Sequence, residues 1–261
     1  MRSLNIAATG MLAQQLNVEV ISNNIANLNT TAFKRERAEF QDLLYENQRA
    51  AGASSSDNGT IVPVGVDIGT GVKAAAVYRI TQQGTLLNTN NPLDVAISGR
   101  GYFQVLMPDG STAYTRAGSF QLSPTGEIVT ADGYVVQPGI TLPSNTVSVT
   151  VNASGQVLAE IAGQNSQQTI GQFQLATFPN EAGLSQLGGN LLKQTEASGA
   201  PVTGNPGATG FGTIQQGFLE TSNVNVVSEI TNLITAQRAY EMNSKVIQTS
   251  DDMASTLTQL R

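Results

Sequence analysis

The chain has 261 residues, a formal net charge of −6 and only 12% charged residues, so it lacks the basic footprint that nucleic acid or an anionic membrane surface would require. Cys, His and Trp are absent altogether, which removes thiolate zinc sites, disulfides, haem ligation and every imidazole-dependent acid, base or triad. With 26 Gly and 5% aromatic residues, the length allows a sizeable core, but one built mainly from turns and strands.

Residues 4–28 are predicted to form the first helix. Leu4, Met11, Val18 and Ile25 recur at seven-residue spacing, and Ala8, Leu12, Ile21 and Leu28 broaden the same face. Asn5, Thr9, Gln14, Gln15, Asn17 and Glu19 interrupt this stretch, so it is no secretory h-region, and no run in the chain reaches transmembrane length. The chain is therefore expected either to remain in the cytoplasm or to leave the cell by a route that reads no cleavable signal, without inserting into a membrane. Asn23, Asn24, Asn27 and Asn29, followed by Thr30 and Thr31, compete for backbone hydrogen bonds and end the helix. Phe33, Phe40, Leu43 and Leu44 then alternate with balanced charges in a solvated element that packs one face.

Residues 47–71 are rich in Gly, Ser, Asp and Asn, and residues 50–59 have almost nothing to bury, which predicts a flexible excursion able to order against a neighbour. Strand signals follow at residues 72–80, at Val95 and Ile97, at Phe103 and Val105 before the Pro108-Asp109-Gly110 turn, and at residues 114–122. Pro124-Thr125-Gly126 and Asp132-Gly133 bracket Ile128-Val129 and precede Tyr134-Val135-Val136, the rhythm of a small antiparallel domain. Val149, Val151, Val157, Ile161, Ile170, Phe173 and Leu175 extend that sheet, whereas residues 181–211 read as long loops.

A last helix starts between residues 223 and 228 and runs to about residue 260. Its stripe is Val226, Leu233, Tyr240 and Ile247, continued by Ala254, again at seven-residue spacing. Its Val, Ile, Thr and Asn content lowers intrinsic helicity, so its stability must come from packing or assembly. The expected fold is thus a mainly β central domain with a discontinuous all-α domain made by the two chain ends. The predicted divisions are 1–30 with 222–261, a connecting segment 31–71 containing the excursion 46–63, and a β-rich core 72–221.

No residue is nominated for catalysis, cofactor binding or metal binding. Glu220, Glu229, Asp251 and Asp252 read as solvent or interface charges, because adjacent Asp251 and Asp252 diverge on a helix while paired-carboxylate chemistry needs convergence. Gly99-Arg100-Gly101 lacks the Lys-Ser/Thr pair of a phosphate loop and reads as a tight bend between strands. The residues nominated for function are the two stripes, Leu4, Met11, Val18 and Ile25 with Val226, Leu233, Tyr240 and Ile247, as an assembly interface. Tyr240 can bury its ring against a partner while its hydroxyl reaches a hydrogen-bonding group.

Several blocks carry a resemblance. Ser22-Asn23-Asn24-Ile25-Ala26-Asn27 through Thr30-Thr31-Ala32-Phe33-Lys34 lies at one end of the chain. Glu220-Thr221-Ser222-Asn223-Val224-Asn225-Val226 and Gln237-Arg238-Ala239-Tyr240-Glu241 lie at the other. Between them stand Gly101-Tyr102-Phe103-Gln104-Val105, Pro108-Asp109-Gly110 and Tyr114-Thr115-Arg116-Ala117-Gly118-Ser119-Phe120. Together they resemble the bacterial flagellar rod and hook family, specifically its distal rod branch.

The resemblance implies a non-enzymatic subunit without cofactors that polymerises with copies of itself into a stiff, hollow helical tube, transmitting motor torque across the periplasm to the hook and forming part of the export channel. It implies delivery by the flagellar type III apparatus, coiled-coil-like terminal helices in an inner layer that are disordered before assembly, and a β-rich outer layer. It also implies proximal rod and hook-side axial proteins as neighbours, and ring proteins around the rod as a bushing. Residues 46–63 match the site of a rod-specific stretch that braces neighbouring subunits. A proximal rod or hook-type axial subunit is the alternative within the family; a secreted binding or adhesin module is the alternative outside it.

Overall fold

The computed structural model describes residues 2–52, 63–164 and 166–259. The chain divides into two compact units, the first made of Met1–Ala26, Glu36–Tyr78 and Asn225–Arg261, the second of Asn27–Arg35 and Arg79–Val224. The fold class is the expected one: a β-rich central domain, with N- and C-terminal helices that pack together.

In the first unit, helix α1 (Arg2–Ala26) lies beside α2 (Val226–Gln259), with strands β1 (Glu36–Asp42), β2 (Tyr45–Arg49), β3 (Val66–Gly69) and β4 (Val72–Arg79) completing it. Asn225 caps α2 by accepting the Ser228 N–H on its side-chain oxygen at 3.1 Å. β1 pairs with β4, and β2 pairs antiparallel with β3, placing Glu46 opposite Ile68 and Asn47 opposite Asp67. The expected excursion is therefore a β-ribbon at its base rather than a loop throughout. Leu44, Tyr45, Val64, Val66 and Ile68 are the signal that composition masked, and all are exposed on it. Residues 53–62, the middle of the predicted 46–63 segment, lie outside the described residues.

The second unit contains β5 (Leu86–Asn88), β6 (Val95–Ser98), β7 (Tyr102–Leu106), β8 (Thr112–Thr115), β9 (Gln121–Leu122), β10 (Ile128–Val129) and β11 (Val135–Val136). They are followed by β12 (Thr146–Val151), β13 (Gln156–Ile161), β14 (Gln168–Gln172), β15 (Leu175–Thr177), β16 (Ser185–Gly188), β17 (Leu191–Lys193), β18 (Val202–Gly204), β19 (Thr213–Gln216) and β20 (Phe218–Glu220). A nine-stranded sheet runs β16-β17-β8-β7-β11-β10-β9, with β15 pairing both β7 and β18. β12, β13 and β14 do not extend it. They make their own three-stranded sheet, and of residues 147–178 only β15 joins the large one.

β7 is the middle of the unit. Phe103 points into a core with Val95, Ile97, Phe120, Ile140, Val157, Phe173, Leu175 and Ile214, while Tyr102 points the other way onto Tyr114 and Phe178. The strand predicted over residues 114–122 breaks into β8 and β9. Between them the chain leaves the ladder, because Arg116 turns inward to bind main-chain oxygens and Gly118 packs on Val95, whose N–H it accepts at 3.0 Å. The stretch read as loops over 181–211 holds β16, β17 and β18. β16 and β17 are joined by Gly189 and Asn190 at φ +58° and +61°, the backbone of a two-residue hairpin turn.

Candidate assembly surface

α1 and α2 run antiparallel, with Asn24 beside Glu229 and Gly10 against Asn243. Those pairs belong to two small or polar series at seven-residue spacing, Gly10, Asn17 and Asn24 on one helix and Glu229, Ala236, Asn243 and Ser250 on the other. Asn24, Glu229, Ala236 and Ser250 are buried, and so are the apolar Ala7, Ala13, Val20 and Ile21 of α1. A Cβ at Gly10 would stand 2.9 Å from Asn243 Nδ2, so the backbone comes close there. Asn24 does more than end a helix. Its amide donates to the Glu36 carbonyl oxygen at 2.9 Å and to Glu229 Oε2 at 3.1 Å, and its oxygen accepts the Glu36 N–H at 2.8 Å, fixing where β1 begins.

The predicted stripes flank these series. Leu4, Met11, Val18, Ile25, Val226, Leu233 and Ile247 are each half-buried, and Tyr240 is exposed. The chain thus places both stripes on one helix pair and covers each only in part. Further apolar side chains stand outside them: Leu12 is 67% exposed, Val227 75%, Met242 63% and Met253 60%, with Ile230, Ile234 and Val246 also exposed. A pair of helices this apolar on its outer faces has buried too little to account for its composition.

The carboxylates read as solvent or interface charges divide. Asp251 and Asp252 are exposed, whereas Glu220 and Glu229 are each only 1% exposed, a correction. Sequence reading missed this because charge alone does not tell a solvated acid from one matched by distant residues. In the second unit Glu220 Oε1 accepts from Lys34 Nζ at 2.5 Å and Oε2 from Arg116 Nε at 2.6 Å. Arg116 gives three further donors to the carbonyl oxygens of Gly101 at 3.0 Å, Gly99 at 2.7 Å and Ile97 at 3.3 Å. Gly99-Arg100-Gly101 is the tight bend expected between β6 and β7, at φ +108° for Gly99 and +140° for Gly101, and it turns these oxygens toward Arg116. Arg100 itself pairs outward with Glu181 at 3.0 Å.

Burial alone would raise the Glu220 carboxyl, but the charges of Arg116 and Lys34 and their hydrogen bonds outweigh it and hold it below the ordinary range. Burial dominates at Lys34 and pulls its ammonium below the usual lysine value despite Glu220. The depressed carboxyl stabilises the fold above the ordinary carboxylate pKa, and that contribution is lost as pH falls through its lower folded-state value. The depressed lysine costs stability at neutral pH and is relieved as pH rises toward its ordinary value. Both signs agree. Stability of the second unit is expected to fall on acidification below about pH 4 and not to fall on mild alkalinisation, as read by thermal unfolding across pH.

Among the described residues no cluster of His, Cys, Asp or Glu could hold a metal ion, and no helix is long and apolar enough to cross a membrane. Three family models match the chain. Residues 4–34 match the flagella basal body rod protein family, 96–159 the D1 domain of the flagellar hook proteins FlgE/F/G, and 215–260 the C-terminal region of the flagellar basal body rod proteins FlgEFG. The flagellar basal-body rod protein FlgG of Caulobacter vibrioides is 59% identical over 261 residues, covering all of both chains. Those of Agrobacterium fabrum and Borreliella burgdorferi are 54% and 46% identical, over 99% and 100% of this chain and 99% of theirs.

Proposed function

We propose, from the premise that this chain belongs to the FlgG family of flagellar basal-body rod proteins, that it forms the distal part of the rod. Membership makes it a self-polymerising structural subunit of the flagellar basal body, not an enzyme. The finer reading is a stiff, hollow tube crossing the periplasm, which transmits motor torque to the hook and extends the export channel. Proximal rod and hook-side axial proteins lie at its ends, ring proteins surround it, and subunits arrive by type III export. The observation that carries the reading is the helix pair: α1 and α2 pack together, joined by the buried Asn24–Glu229 hydrogen bond, and still leave Leu12, Val227, Met242 and Met253 exposed for coiled-coil-like neighbours to cover.

Electron microscopy of basal bodies with and without the chain tests this directly. The expected loss is of the segment between the proximal rod and the hook; basal bodies unchanged in length would overturn it. Residues 46–63 are read as the brace between subunits. The exposed apolar side chains at the ribbon's base support that reading, because ordering them costs less once neighbours supply cover. Deleting 46–63 is expected to permit assembly but to curve or soften the polymer, and an unchanged persistence length would leave the segment no mechanical role.

A further inference from the structure

The buried charges of the second unit come from stretches far apart in the chain, and one late segment closes them. β19 pairs with β6, setting Ile214 opposite Ile97 and completing the apolar core, and β20 pairs with β5. The segment then inserts Glu220 between Lys34 and Arg116, accepting also the Gly84 N–H at 2.9 Å. The Glu220 main-chain oxygen accepts the N–H of Ala32, which is held at φ +59°, a left-handed conformation that alanine adopts only under constraint. Asn223 finishes the attachment. Its side-chain oxygen accepts the Arg35 N–H at 2.7 Å, and its amide donates to the carbonyl oxygens of Ile80 and Gln82 at 2.9 Å each.

We propose that residues 213–224 are a clasp, with Glu220 as its catch, and that the central unit holds its fold only when the clasp is shut. Open, it leaves the inward-turned Arg116 and Lys34 without the carboxylate that joins them, β6 without its partner strand and Ala32 without its constraint. These losses are coupled, because one segment supplies all three. Resting on the function proposed above, a core closed from near the C-terminus stays open for as long as that end is still in transit; the clasp itself stands without that reading.

Full-length monomer in dilute solution tests the clasp apart from polymerisation, by hydrogen exchange resolved along the chain. Glu220→Gln is expected to accelerate exchange roughly 100-fold or more, by a common factor, at residues 32–35, 95–98 and 213–223. Lys34→Met is expected to change these amides less than about 10-fold. It leaves Arg116 and Glu220 as a matched pair, and the Gln82 oxygen keeps its bond from Asn223. Acceleration confined to 218–223, with 95–98 as slow as in the parent, overturns the proposal, as does Lys34→Met matching Glu220→Gln. If Glu220→Gln does not fold, Gly84→Ala decides. It keeps every charge but would set a Cβ 2.0 Å from the Thr221 main-chain oxygen, forcing the segment away. Common acceleration across the three stretches supports the clasp, and change limited to residues near 84 and 221 refutes it.

Discussion

Tyr240→Asp is expected to abolish polymer formation while leaving the isolated subunit folded. Tyr240 is 45% exposed on the subunit, on the stripe that also carries Leu233 and Ile247, so the new carboxylate is well hydrated until a neighbouring helix covers it. Burying an unpaired carboxylate costs several kcal/mol, and a helical polymer repeats that cost at every subunit. A single contact can absorb such a loss; a lattice of identical contacts cannot nucleate through it. Leu233→Asp should be equally defective in assembly but less clean, because Leu233 is already half-buried within the subunit and its replacement also weakens the α1–α2 pair. Tyr240→Phe is the control that keeps the apolar ring. Sedimentation separates polymer from monomer and far-ultraviolet circular dichroism reports the fold. Polymers of normal length from Tyr240→Asp would remove this stripe from the interface.

The two terminal helices are legible because a seven-residue apolar repeat marks them in the sequence. What the repeat did not disclose is which face the two helices turn to each other. The close contacts fall on Gly10 with Asn243 and on Asn24 with Glu229, none of which belongs to an apolar stripe. Short-range signals elsewhere were equally mixed. Pro108-Asp109-Gly110 reads as a turn, yet Gly188-Gly189-Asn190 merges with the loop-like stretch around it although its residues take positive φ between paired strands. The ion triad was legible in parts alone: Lys34, Arg116 and Glu220 each lie in a block that carried the family resemblance, but no local pattern says that residues 186 apart, as Lys34 and Glu220 are, will meet. Non-local charge matching is a property of the closed fold, and periodicity cannot carry it.

Phe103→Ala is expected to destabilise the second unit by about 3–5 kcal/mol, the range for emptying a fully buried aromatic site. Phe103 is fully buried on β7, with its ring centroid 5.0 Å from Phe120 and 5.9 Å from Phe173, both edge-on, while the other two rings stack at 6.0 Å. Removing the middle ring takes away two edge-to-face contacts as well as the transferred apolar area. The surroundings are poorly placed to collapse into the space. Main-chain pairing holds Phe103 opposite both Thr115 on β8 and Leu175 on β15, so the lining is anchored from two sides. Against a total stability of about 5–15 kcal/mol for an ordinary domain, such a loss brings the unit close to unfolding at growth temperature. Val147→Ala, at a side chain 69% exposed on β12, should stay within about 0.5 kcal/mol and gives the scale for a solvent-facing change in the same unit. Urea unfolding followed by tyrosine fluorescence measures both, since Tyr102 and Tyr114 lie buried in this unit and the chain has no Trp to obscure them. A cost below about 1.5 kcal/mol for Phe103→Ala would mean that the cavity closes, and that the three rings are not the rigid centre their geometry implies.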